Sequence, residues 1–138
     1  MIQSVFADTG YWVALISPHD TLHQKAIDVE SQLEGCTIVT SEMVLTEVLN
    51  MFAHRGPYLR SVAAKVVQDI RSNASIEVVP QTRRLFQEAL ELYCKRPDKE
   101  WSLTDCASFV IMKERNITRA LAHDEHFEQS NFVALLKD

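Results

Sequence analysis

Apolar residues recur along the chain in two rhythms. Short β-branched or apolar runs bounded by turn formers predict strands over residues 3–7, 36–40, 76–79, 118–122 and 132–136. Between them, apolar positions three and four apart predict helices. The run 11–16 follows the turn Asp8-Thr9-Gly10. A helix from near Asp20 carries Leu22, Ala26, Ile27 and Leu33 as its apolar stripe and stops at Gly35. Ser41 is a good N-cap for a helix with Val44, Leu45, Val48, Leu49 and Phe52 on its inner face, ending near Gly56-Pro57. Residues 58–72 and 81–95 are amphipathic. Ser102 opens a helix over 103–112 that is apolar or small on every face and is therefore expected to be buried. Five short strands alternating with helices are the pattern of an α/β fold with a parallel sheet covered on both faces.

Four acids interrupt this pattern: Asp8 after the first strand, Glu47 inside a helix, Asp105 at the head of the apolar helix and Asp124 after the fourth strand. The carboxyl ends of parallel strands open onto a common crevice, so acids at strand ends and adjoining helix starts can converge there. Converging carboxylates repel and require a cation. Hard oxygen ligands favour Mg²⁺ or Mn²⁺, and such ions promote phosphodiester hydrolysis. Each acid also has a plain structural use. Asp8 could cap the following helix, Glu47 could be solvated, Ser102-Leu103-Thr104-Asp105 has the shape of a capping box, and Asp124 could serve a turn. His123 with His126, and His19 with His23, raise zinc as an alternative, but neither pair forms an H-E-x-x-H arrangement.

Composition narrows the classes. With 138 residues, 46% hydrophobic and 24% charged, residues 1–138 are expected to form one domain with a sizeable core. There is no basic leader and no long apolar run, so a cytoplasmic protein without a membrane segment is expected. Cys36, Cys94 and Cys106 form no C-x-x-C pair and are expected to be reduced and mostly buried. The formal charge of −5 argues against a broadly basic nucleic-acid binder, although bound divalent ions would reverse the field near the acids.

Taken together, the segments Val5-Phe6-Ala7-Asp8-Thr9-Gly10-Tyr11-Trp12, Thr46-Glu47-Val48-Leu49, Ser102-Leu103-Thr104-Asp105 and His123-Asp124-Glu125-His126-Phe127 resemble the PIN-domain ribonucleases, of the kind that act as VapC toxins in toxin-antitoxin pairs. The resemblance spans almost the whole chain. It implies a three-layer fold with a central parallel five-stranded sheet flanked by helices, and an endoribonuclease whose quartet Asp8, Glu47, Asp105 and Asp124 holds Mg²⁺ or Mn²⁺. Thr9 and Thr104 would support these ligands with their hydroxyls. It also implies an RNA substrate, a homodimer and, in many members, a small antitoxin. Gly10 departs from the polar residue that many members carry there.

Arg96, Lys99 and Trp101, on the polar connection before Asp105, combine charge with a stacking surface and are the candidate RNA contacts. Three rivals compete with the nuclease. A receiver-type phosphoaspartate module would show adjacent acids after its first strand, and an Asp-x-Asp phosphatase would need an acid where Gly10 stands. The third is a catalytically silent PIN-like module that binds RNA or protein without cutting.

Overall fold

The computed structural model describes residues 3–137, so the outermost residues of the expected 1–138 domain lie outside the description. Strands β1 (Ser4–Ala7), β2 (Thr37–Ser41), β3 (Ile76–Val79), β4 (Arg119–Leu121) and β5 (Val133–Ala134) form one sheet in the order β3-β2-β1-β4-β5, with every pairing parallel. Seven helices accompany them: α1 (Thr9–Ile16), α2 (His23–Glu30), α3 (Glu42–Phe52), α4 (Gly56–Ser72), α5 (Arg83–Lys95), α6 (Leu103–Glu114) and α7 (Glu125–Gln129). This is the expected α/β architecture.

Parallel neighbours need crossover connections. The chain moves outward from β1 to β3 through α1–α4, then returns past β1 to β4 and β5 through α5–α7. Helices α1, α2, α3 and α4 pack among themselves, as do α5, α6 and α7. Right-handed crossovers in opposite lateral directions put the two groups on opposite faces of the sheet, which gives three layers. The strand order reverses between β1 and β4. A crevice at the carboxyl end of a sheet opens at such a switch point.

The core follows from this layering. Val5, Phe6 and Ala7 of the central β1 are fully buried, and so are Ala107, Phe109, Ile111 and Met112 along α6, as expected for a helix apolar on every face. Local chemistry accounts for several boundaries. The Ser41 hydroxyl accepts the Val44 N–H at 3.1 Å, and Pro57 sits in the first turn of α4. Gly56, with φ of +89°, opens α4, while Gly35, with φ of +84°, sits in the turn before β2, five residues past the end of α2 at Glu30, so it does not stop that helix as expected.

Four further expectations require correction. α2 starts at His23 because Asp20 folds its carboxylate onto the Leu22 N–H at 2.9 Å, an Asx turn that delays the helix. Ile27 and Leu49 are 40% and 38% exposed, so the apolar stripes of α2 and α3 are wider than the surfaces they bury. The fifth strand shrinks to two ladder residues, Val133 and Ala134, with Leu135 adding one N–H to the Ala120 carbonyl of β4 at 2.9 Å. Among the three free cysteines only Cys106 is buried, and Cys94 is exposed on α5.

Candidate active site

Asp8 occupies the first position beyond β1, at the switch point. Its N–H donates to the Leu121 carbonyl of β4 at 3.2 Å. On the other side, the Thr40 hydroxyl of β2 donates to the Ala7 carbonyl at 2.9 Å and accepts the Trp12 indole N–H at 3.3 Å. Both neighbouring strands therefore fix the backbone that carries this acid. Asp8 has the backbone of an N-cap, yet its side chain makes no capping hydrogen bond. The plain reading of Asp8 as a helix cap is not what the structure shows.

The carboxylate is 9% exposed. Burial pushes its pKa up to about 8, with the charge of Asp105 adding to the rise and Glu47 and Asp124 contributing further, while the Thr9 backbone N–H pulls the other way. Beside it, the Thr9 hydroxyl is buried and finds no protein partner among the described residues. A buried carboxyl with so high a pKa next to an orphaned hydroxyl marks a functional position.

The other three acids reach the same cleft from separate elements. Asp8, Glu47, Asp105 and Asp124 all line one depression of about 740 Å³, together with Thr9, Gly10, Met51, Ser102 and His126. Glu47 projects from α3, half-buried, one turn before Met51. Asp105 completes a true capping box on α6: Ser102 Oγ accepts the Asp105 N–H at 3.0 Å, and Asp105 Oδ2 accepts the Ser102 N–H at 3.1 Å. Burial raises the Asp105 pKa, opposed by the Ser102 N–H and by His126. Asp124 caps α7 through the His126 N–H at 3.1 Å.

Sequence reasoning missed two other acids in the cleft, Glu100 and Glu125, and the role of α7 in placing His126. The ring Nδ1 of His126 lies 3.1 Å from Asp105 Oδ2 and 3.3 Å from Asp124 Oδ1. The signal was present in His123-Asp124-Glu125-His126, where an N-cap acid faces a histidine two residues later. Of the two pairs that raised zinc, His19 is exposed and the ring of His23 is hydrogen-bonded to the Ala14 carbonyl at 2.6 Å, whereas His123 and His126 both line the cleft.

Four expected site residues lie outside the cleft: Thr104, Trp101, Arg96 and Lys99. Thr104 precedes Asp105 but does not line the cleft. Trp101 offers no stacking surface. It is 5% exposed, packs edge-on against Phe109 at 5.0 Å, carries the Arg96 guanidinium over its ring and donates its indole N–H to Gln129 Oε1 at 3.0 Å. Its size and apolar area are used to join α6 to α7. Arg96, held bidentate by Asp98, and Lys99 line an adjoining groove that meets the cleft at Glu100 and Ser102.

The donor set is all oxygen and anionic, which suits a hard divalent cation. Among the described residues, no three acidic, histidine or cysteine side chains are already gathered tightly enough to hold an ion. The unpartnered Thr9 hydroxyl and a buried Asp8 carboxylate that makes no capping bond are compatible with such a cation.

The family model for the PIN domain matches residues 5–133. The chain belongs to the PIN-domain family. It is 30% identical over 129 residues to the 23S rRNA-specific endonuclease VapC20 of Mycobacterium tuberculosis, in strains CDC 1551 / Oshkosh and ATCC 25618 / H37Rv, covering 94% of this chain and 95% of that protein. The crystal structure of M. tuberculosis VapC20, described as a sarcin-ricin loop cleaving toxin, superposes with a TM-score of 0.85 at 27% identity, covering 94% of this chain and 96% of that one. VapBC2 from Rickettsia felis bound to a promoter DNA fragment shares the fold, with a TM-score of 0.67 at 14% identity over 96% of this chain and 97% of that one. PIN-domain nucleases generally use divalent metals, and this chain is a PIN-domain endoribonuclease of the VapC kind. Among the described residues no helix is long and apolar enough to cross a membrane.

Proposed function

We propose that Asp8, Glu47, Asp105 and Asp124 form the catalytic, metal-holding site of this endoribonuclease, with Mg²⁺ or Mn²⁺ as the cation. The observation that carries this reading is the convergence of all four acids on one cleft at the β1/β4 switch point, with Asp8 buried there and forming no capping bond. A cation held by these oxygens supplies Lewis acidity to the scissile phosphate and an activated water.

The protein's own contributions divide by wall. Asp8, rigidly placed by β2 and β4, is the central ligand, and Asp105 and Asp124 complete the opposite side. Glu47, the acid on a longer and half-exposed arm, orients the attacking water and receives its proton. The Thr9 hydroxyl supports the Asp8 end of the site. Thr104 lies outside the lining, and its backbone carbonyl accepts the Ser108 hydroxyl at 2.9 Å.

The substrate is RNA. The specificity of VapC20 makes the sarcin-ricin loop of 23S rRNA the first RNA to try. Lys99 and Arg96, in the groove continuous with the cleft, are the candidate phosphate contacts. The same groove exposes Leu90 and Tyr93 of α5, and such an apolar strip beside the site supports a small antitoxin as partner. We read residues 1–138 as one domain that works as a homodimer in the cytoplasm, where such RNA is met.

The test is cleavage of 23S rRNA and of an unrelated RNA pool by the wild type and by Asp8→Asn, each with Mg²⁺, with Mn²⁺ and with chelator. Cutting that requires both the metal and Asp8 is expected. Absence of both cutting and metal binding in the wild type would overturn the reading in favour of a silent RNA- or protein-binding module.

A further inference from the structure

The acids on the α6/α7 side of the cleft are not independent. Asp105 and Asp124 come from different helices, and one ring nitrogen lies within reach of both: His126 Nδ1 is 3.1 Å from Asp105 Oδ2 and 3.3 Å from Asp124 Oδ1. The Asp105 contact has hydrogen-bond geometry and the Asp124 contact is a close approach; in the tautomer with Nδ1 protonated, the N–H faces both oxygens. The remaining protein bonds fall on the same two oxygens. Ser102 N–H donates to Asp105 Oδ2, and His126 N–H donates to Asp124 Oδ1. Asp105 Oδ1 and Asp124 Oδ2 are therefore left without a protein donor among the described residues.

We propose that His126 is a positioning residue: a shared Nδ1–H clamps Asp105 and Asp124 to each other and turns one unshared oxygen of each towards ligand duty. The inference rests on the quartet reading above and extends it to a residue outside the quartet. The clamp is itself well anchored. The His126 side chain is only 19% exposed, and the next residue, Phe127, is fully buried with its ring edge-on to Phe109 at 5.0 Å. A rigid donor held in this way acts as an outer hydrogen bond to a metal-binding carboxylate does, setting its orientation before the ion arrives.

The side chain's geometry supplies its own control. The amide nitrogen of Asn can occupy the place of Nδ1, whereas that of Gln falls nearer Nε2. Mn²⁺ titration by calorimetry of the wild type, His126→Asn, His126→Gln and His126→Ala reads the clamp directly, with thermal melting alongside and single-turnover cleavage at rising Mn²⁺. The expected result is Mn²⁺ binding weaker by about 10–100-fold for Ala and Gln, near-complete rescue by Asn, an unchanged KM for RNA and recovery of the cleavage rate with excess Mn²⁺. Wild-type Mn²⁺ affinity in both Ala and Gln, or an Asn variant as weak as Gln, would overturn the clamp. If Ala fails to fold, the Asn and Gln pair decides alone. Failure of the wild type to bind Mn²⁺ at all is a different result: it removes the quartet reading, and the clamp with it.

Discussion

The two walls of the cleft carry the same functional group under opposite conditions. On the β1 wall, Asp8 is buried, makes no capping bond and stands beside an orphaned Thr9 hydroxyl. On the α6/α7 wall, Asp105 and Asp124 are each engaged in a local cap and share His126. One wall keeps a carboxylate in a state that is costly without a cation, and the other satisfies its carboxylates with neighbours of their own segment. A cation would relieve the first wall and would only reorganise the second.

The sharpest way to break this contrast is Asp8→Asn. Cleavage should fall by at least about 10²-fold, because the replaced oxygen is the one the fold has placed most rigidly. Retention of wild-type cleavage would show that the β1 wall is not part of the chemistry.

Next in size is Trp101→Ala, which tests whether the second wall depends on the aromatic cluster behind it. Trp101, Phe109, Phe127 and Phe132 form a continuous set of ring contacts under Asp105 and Asp124. The substitution should cost about 3–5 kcal/mol of stability in denaturant titration, as for other buried tryptophans. A loss of RNA affinity with unchanged stability would instead restore the stacking role.

The pH dependence separates the walls without a metal. The folded pKa of Asp8, about 8, lies above its unfolded value near 3.8, so the native state keeps a proton that the unfolded chain has released across that window. Stability of the metal-free protein should therefore fall as pH rises from about 4 to about 8 and then level off. Asp8→Asn should flatten that part of the curve and raise the metal-free melting temperature at pH 8, while leaving it unchanged near pH 4. By the same linkage, metal affinity should strengthen over this range as the ion displaces the proton. Asp124→Ala should do the opposite to the metal-free fold, lowering stability by about 1 kcal/mol through the lost cap on α7. Melting curves of the two variants, taken with chelator at several pH values, check the contrast.

The smallest effect is expected at Gly10. Nothing lies within 4 Å of a Cβ built there, and the position is helical and exposed on the cleft rim. Gly10→Ser should leave cleavage intact and stabilise α1 by a few tenths of a kcal/mol in melting experiments. A side chain at this position thus meets no steric obstacle in this chain.

These contrasts also separate what is local from what is not. Periods of two and near four, a Ser N-cap, a capping box and left-handed glycines are properties of a few consecutive residues, so the sequence by itself determined the strands, most helices, the parallel α/β class and even the hydrogen bonds of Asp105. The order and spacing of the four acid-bearing segments also identified the family. The tertiary structure alone decided which apolar residues on α2 and α3 stay exposed, that the fifth strand keeps only two ladder residues, and that Trp101 supports the core where the sequence suggested an RNA contact. It also decided that Asp8 goes without a capping bond and that His126 joins two acids from separate helices. Those outcomes depend on what each side chain meets from distant parts of the chain, through burial, charge and a shared donor, and no local pattern encodes that company.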